Sequence, residues 1–221
     1  MKSFPLDPRL PDVSGNPRED VSRLRTRLVE LFRDIAQRLN PTVHYGWRDL
    51  VATVSSARVP AANAPTLDNF GPSGNRTEYK FALNDYIMIK PFHVNHDVRP
   101  YGQAYLHVHW TTNGTSTATV KWEFEILRAK GHGQQAFGAP TTLSVTQAPA
   151  GTAWQHMIAE ITDSDVMTLY EPDELIMVIL KRVTNGGVNN TDKVFALEVD
   201  FHYESDRVFT PYKSPDFYVG T

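Results

Sequence analysis

Beyond Pro41 the helical period does not return, and nearly every apolar residue alternates with a polar one as in β-strands. Tyr79, Phe81 and Leu83 alternate, followed by Tyr86 and Met88. Leu106, Val108 and Trp110 share one face of a strand, with Tyr105, His107 and His109 on the other. Val120, Trp122, Phe124 and Ile126 point inward while Lys121, Glu123 and Glu125 point out. Phe195, Leu197, Val199, Phe201 and Tyr203 alternate with Ala196, Glu198, Asp200, His202 and Glu204. Thr141 to Thr146 and Trp154 to Ile161 read as further strands. Leu175 to Leu180 is apolar throughout, which predicts a strand buried on both faces. Asn113-Gly114 and Asn185-Gly186-Gly187 are hairpin-turn signals, and Lys130-Gly131-His132-Gly133 is a flexible-loop signal. Seven or eight short strands separated by turns predict a mainly β protein with an antiparallel, jelly-roll-like sandwich.

Ahead of Pro41 lies the clearly helical stretch. Val21, Leu24, Leu28, Leu31 and Ile35 fall at alternating spacings of three and four, which makes an apolar seam. Asn16 can cap this helix, Pro17 suits its first position, and Glu19 can close a capping box. From Pro17 to Leu39 it would run roughly 35 Å, ending where Asn40 precedes proline. Just over two heptads is marginal for a free-standing coiled coil, so the β head must help hold any assembly. The same stripe, widened by Val29 and Phe32, also suits packing against the chain's own β domain. Leu and Ile at a positions weaken the preference for two strands, and a homotrimer is expected.

The division along the chain follows. Residues 1–16, with Pro5, Pro8 and Pro11, form an extended anchoring arm. Residues 17–40 are the oligomerising helix, 41–76 a Gly/Pro/Asn-rich linker with a short strand near Leu50–Val54, and 77–206 the sandwich head. Residues 207–221, carrying Phe209, Tyr212, Phe217 and Tyr218, form a tail with enough apolar surface to dock.

Composition excludes several classes. A net charge of −3 argues against a nucleic-acid binder, which needs a basic patch. No apolar run reaches the length of a membrane span, and no N-terminal stretch has the pattern of a signal peptide. The absence of cysteine excludes disulfides, thiol catalysis and thiolate metal sites, and fits assembly in a reducing cytoplasm.

His107-Val108-His109 is the leading candidate for chemistry. Residues two apart on a strand point the same way, so both imidazoles could ligate one ion. A cupin-type enzyme would add a glutamate downstream, where this chain has Asn113-Gly114 instead. One His-x-His from each of three chains could hold a structural ion on an axis. The simplest account is a hydrogen-bonded polar sheet face, and no cofactor is expected. His93, His96 and Asp97 lie in a loop, where turn chemistry for Asn95 and Asp97 explains them. Asp200 and His202 share a strand face, and cross-strand polar contacts are the simpler reading. There is no nucleophile elbow and no phosphate-binding glycine loop. Of the four tryptophans, Trp110 and Trp122 sit on inward faces and belong to the core, whereas Trp47 and Trp154 are open to other roles.

Several of these segments together resemble a family of tailed-bacteriophage virion structural proteins. They are Tyr105-Leu106-His107-Val108-His109-Trp110, Val120-Lys121-Trp122-Glu123 and Trp154-Gln155-His156, then Leu197 through Asp206 and Thr210 through Tyr218. The family has a His-x-His-Trp strand followed by a strand with an inner tryptophan. The resemblance spans roughly residues 47–218; where relatives often carry proline before the His-x-His, this chain has Leu106.

The resemblance implies a non-enzymatic protein of the virion, assembled in the host cytoplasm as a head fibre, collar or tail appendage. Its partners would be copies of itself and other virion proteins held through the arm. A host-surface receptor is a further candidate partner, met by the loops Lys130 to Gly138 and Asn185 to Asn190. The rival readings are a capsid decoration protein, a cupin-type metal enzyme and a glycan-binding module.

Overall fold

The computed structural model describes residues 46–99, 101–132, 134–161, 167–168 and 171–205, together with Leu28. The arm, the C-terminal tail and the helical seam other than Leu28 lie outside the described residues. Leu28 itself is helical and exposed.

Two antiparallel sheets make a β-sandwich. The larger contains β1 (Gly46–Thr53), β2 (Thr66–Phe70), β3 (Arg76–Phe81), β6 (Gln103–Thr112), β9 (Met157–Glu160), β10 (Met167–Thr168) and β12 (Val194–Ser205). The smaller contains β4 (Tyr86–Met88), β5 (Phe92–His93), β7 (Val120–Lys130), β8 (Thr141–Gln147) and β11 (Glu174–Val183). β12 is the spine of the larger sheet. It pairs with β6 along one edge from Val194 to Tyr203. On its other edge it takes β1 beside its C-terminal half and β3 beside Val194 and Phe195. β6 in turn carries β9 and β10 on its far side.

The period-two pattern dictates which residues meet between the sheets. Leu106, Val108 and Trp110 from β6 and Val120, Trp122, Phe124 and Ile126 from β7 are all buried. The Trp110 and Trp122 rings meet edge-on with centroids 6.2 Å apart, and Phe81 meets Trp122 at 5.4 Å. Phe92 stacks on Phe201 at 5.7 Å. Each such ring, withdrawn from water, stabilises the sandwich by about 1.5–3 kcal/mol.

Four local expectations are corrected. The 41–76 passage supplies two strands, β1 and β2, because the alternation from Gly46 to Thr53 finds an open edge of β12 to pair with. Asn113-Gly114 and Asn185-Gly186-Gly187 do not close hairpins; both lie where the chain crosses between sheets, from β6 to β7 and from β11 to β12. Gly131 and His132 form a turn at the start of the connection between the paired strands β7 and β8, as their loop signal predicts. β11 is buried on one face only: Ile176, Val178 and Leu180 are in the core, whereas Met177 is exposed.

The fourth correction concerns β12, whose register against β6 slips between Ala196 and Glu198. This bulge absorbs Leu197 and flips the alternation. Ala196, Val199, Phe201 and Tyr203 therefore join the main core. Phe195 turns to the other face, under Phe70 and Trp154 at 5.4 and 5.7 Å.

Candidate functional site

The outer face of the larger sheet collects the titratable side chains. The registers place Asp49 opposite His202, Asp200 opposite His107, and His107 opposite Glu160. Four adjacent strands, β1, β12, β6 and β9, thus present Asp49, His202, Asp200, His107, His109 and Glu160 on one surface. The expected cross-strand contacts are present, and they join into a cluster.

Asp200 is the centre of that cluster. His107 Nε2 lies 3.1 Å and His109 Nε2 2.9 Å from the same oxygen, Asp200 Oδ2. On the far side of each ring, His107 Nδ1 is 3.2 Å from Glu160 Oε2, and His109 Nδ1 is 2.8 Å from His156 Nε2. His202 hydrogen-bonds Asp49. The rings form a continuous row, with Tyr105, Trp47, His202, His107, His109 and His156 following one another at centroid separations of 5.5, 4.9, 5.8, 5.0 and 4.9 Å. Trp47 ends up 47% exposed on this face.

Burial makes the centre unusual for an outer sheet face. His107 is 7% and Asp200 5% exposed. A carboxylate accepts hydrogen bonds, so the two that flank His107 favour a proton on its ring nitrogens. Burial pushes its pKa down, but the hydrogen bonds and charges of Asp200 and Glu160 outweigh that, leaving it above the ordinary histidine value. The second oxygen, Asp200 Oδ1, is buried and meets no hydrogen-bond donor among the described residues. The nitrogen and oxygen atoms of His107, His109 and Asp200 converge within 4.8 Å of one another, close enough to share an ion.

A second aspartate gathers the loop histidines. His93 Nε2 is 3.0 Å from Asp173 Oδ1, while His96 Nε2 and His132 Nε2 are 3.3 and 2.6 Å from Asp173 Oδ2. Asp97, expected to serve turn chemistry beside His96, is instead buried under β12 and bonded to Tyr203, Ser205 and Arg48.

His107 and His109 were thus legible as a same-face pair, and no spacing rule pointed to their partner. Asp200 is 93 positions from His107, and only the pairing of β6 with β12 brings them together. The signal available was the inward-outward phase of β12, which puts Asp200 on the outer face with His202. Asp173 had no such signal, because it lies outside the strands.

No protein-family model matches the chain, and no curated protein matches it. Among solved structures it is similar to the CBM36-1 domain of a multidomain xylanase from the hindgut metagenome of Trinervitermes trinervoides. That match has 8% identity and a TM-score of 0.40, over 70% of this chain and 96% of that one. It is also similar to a chain of infectious bursal disease virus, Gt strain, with 10% identity and a TM-score of 0.34, over 72% of this chain and 32% of that one.

Proposed function

We propose that this chain is a structural, non-enzymatic protein of a tailed-bacteriophage virion. The helix at 17–40 gathers three copies through Val21, Leu24, Leu28, Leu31 and Ile35. The arm at 1–16 anchors them to the particle, and the sandwich projects as the head. One observation carries the reading: among the described residues, those behind the family resemblance are ones on which the sandwich is built. Tyr105 to Trp110 lies in β6 and Leu197 to Ser205 in β12, and these are the paired central strands of the larger sheet. Val120 to Glu123 opens β7, whose Trp122 meets Trp110 between the sheets. Trp154 and His156 close over Phe195 and His109. A motif used in packing suits a protein whose role is to present a rigid body.

Light scattering on the purified chain tests the assembly. The expected mass is that of a trimer, falling to a monomer in a Leu24→Asp, Leu28→Asp variant with the sandwich still folded. A monomeric parent protein overturns the trimer. Imaging of intact particles with a labelled head tests the location and separates a fibre or collar position from capsid decoration. Particles free of the chain overturn the virion reading.

A glycan-binding role is favoured by one feature, the exposed Trp47 indole stacked on His202 beside Tyr105. Aromatic platforms of this kind offer an apolar face to a sugar ring. Binding on a glycan panel that disappears in Trp47→Ala supports it, and a blank panel excludes it.

A further inference from the structure

Two histidine clusters have no part in packing the core, and they differ in what their aspartates still lack. At Asp173 both carboxylate oxygens already meet imidazoles, and the His93 side chain is 58% exposed. At Asp200 both imidazoles aim at a single oxygen, and the other oxygen is buried without a donor. A buried carboxylate oxygen in that state calls for a donor or a cation, and the described residues place neither against Asp200 Oδ1.

The geometry points to a binding site for one divalent transition-metal ion, ligated by His107 Nε2, His109 Nε2 and the Asp200 carboxylate. This inference does not rest on the virion reading. Three features of the site support it. First, zinc-to-nitrogen and zinc-to-oxygen bonds of about 2.0–2.1 Å set tetrahedral ligand atoms about 3.3 Å apart. The two Nε2 atoms already stand 3.1 and 2.9 Å from Asp200 Oδ2, near that spacing, and all three ligand atoms lie within 4.8 Å of one another. Second, each imidazole has its other nitrogen engaged: Glu160 receives His107 Nδ1–H, and His156 lies against His109 Nδ1. Outer partners of this kind orient metal-bound histidines and raise their basicity. Glu160 and His156 are thus positioning residues. Third, the ligands stand on extended, hydrogen-bonded neighbours, β6 and β12, rather than on loops, so the site is held ready.

Two imidazoles and one carboxylate select zinc, cobalt or nickel over calcium and magnesium, which take oxygen ligands. Three protein ligands leave a fourth position on the open face for water or another donor. The ion would tie β6 to β12 at the centre of the sheet.

The test uses the full chain, stripped with a chelator and titrated with zinc chloride. Isothermal titration and elemental analysis after gel filtration are expected to give one strongly bound zinc per chain. The thermal unfolding midpoint should rise with zinc and stay put with calcium or magnesium. Asp200→Asn, which keeps the shape of the side chain, and His109→Ala should each abolish that binding. A His93→Ala, His96→Ala double variant should retain it. Should the histidine variant fail to fold, nitrogen resonances of the parent protein decide the site. Zinc must then shift His107 and His109 rather than His93, His96 and His132. Absence of tight binding, survival of binding in Asp200→Asn, or shifts confined to the Asp173 cluster would each overturn the proposal.

Discussion

Tyr203, on the core face of β12, donates its phenol hydrogen to Asp97 Oδ1 at 2.8 Å, and so ties a loop aspartate to the spine of the larger sheet. Ser205 Oγ donates to the other oxygen at 3.0 Å, and the Arg48 guanidinium lies 2.6 Å away. Burial, opposed by an Asn95 hydrogen bond and aided by the neighbouring Asp97 carboxylate, pushes the Tyr203 pKa up to about 12. Because the folded value lies above the ordinary tyrosine value near 10, the fold favours the neutral phenol. That contribution is complete below about pH 10 and is lost as pH rises toward 12. Tyr203→Phe keeps the stack on Phe201 but removes one donor from a buried carboxylate. Urea unfolding at pH 7 should show a loss of about 1–3 kcal/mol. The parent protein should lose more stability than the variant between pH 10 and 12, and parallel curves would contradict this.

Gln147 links the two sheets through polar atoms. Its Oε1 accepts from Trp110 Nε1 at 2.7 Å, and its Nε2 donates to the Ile158 carbonyl at 2.9 Å. Replacing it with Leu leaves the indole N–H of a fully buried ring without an acceptor. Gln147→Leu is expected to cost about 1–3 kcal/mol in urea unfolding. The double variant with Trp110→Phe, which removes the orphaned donor, should show a favourable coupling between the two sites.

Gly114 is required by its neighbour rather than by a left-handed turn. A Cβ at this position would lie 2.3–2.5 Å from the carboxylate atoms of Asp192. That carboxylate cannot swing away freely, since its Oδ2 accepts from the Ser116 backbone N–H at 2.9 Å. Gly114→Ala should destabilise the protein by about 1–3 kcal/mol. In an Asp192→Ala background, the same substitution should cost much less in thermal unfolding. An equal cost in both backgrounds would show that the collision is not the cause.

What could be read from the chain divides along a physical line. Facing was legible where apolar and polar residues alternate on a regular backbone: Leu106, Val108, Trp110, Trp122 and Phe124 are all buried as their spacing requires. The unbroken apolar run of β11 instead hid its exposed face. Facing failed at Phe195, because a bulge depends on how two strands fit and leaves no periodic trace. Partnership was not legible at all. His109 and Asp200 are 91 positions apart, and their meeting follows from a strand order that local spacing does not encode. The turn signals misled for the same reason. Asn113 and Gly114 do form a bend, but its job is to carry the chain to the other sheet, with Asn113 Oδ1 accepting from the Lys193 backbone N–H at 2.8 Å.

Acid stability is the last property with a clear residue behind it. Asp68 on β2 receives Lys80 Nζ at 2.8 Å and Lys193 Nζ at 2.9 Å, one lysine on each carboxylate oxygen. The Lys80 hydrogen bond first, then that of Lys193, holds this carboxyl far below the usual range. A carboxyl with a depressed folded pKa adds stability that is fully present above the unfolded value of about 3.9 and is lost as pH falls below it. Two lysines draw β2, β3 and the segment before β12 to one point, so protonation there loosens an edge of the larger sheet. Asp68→Asn cannot titrate. Urea midpoints should therefore separate parent and variant at pH 7 and converge as the pH drops below 4. A gap that persists unchanged into acid would mean that Asp68 acts through its shape rather than its charge.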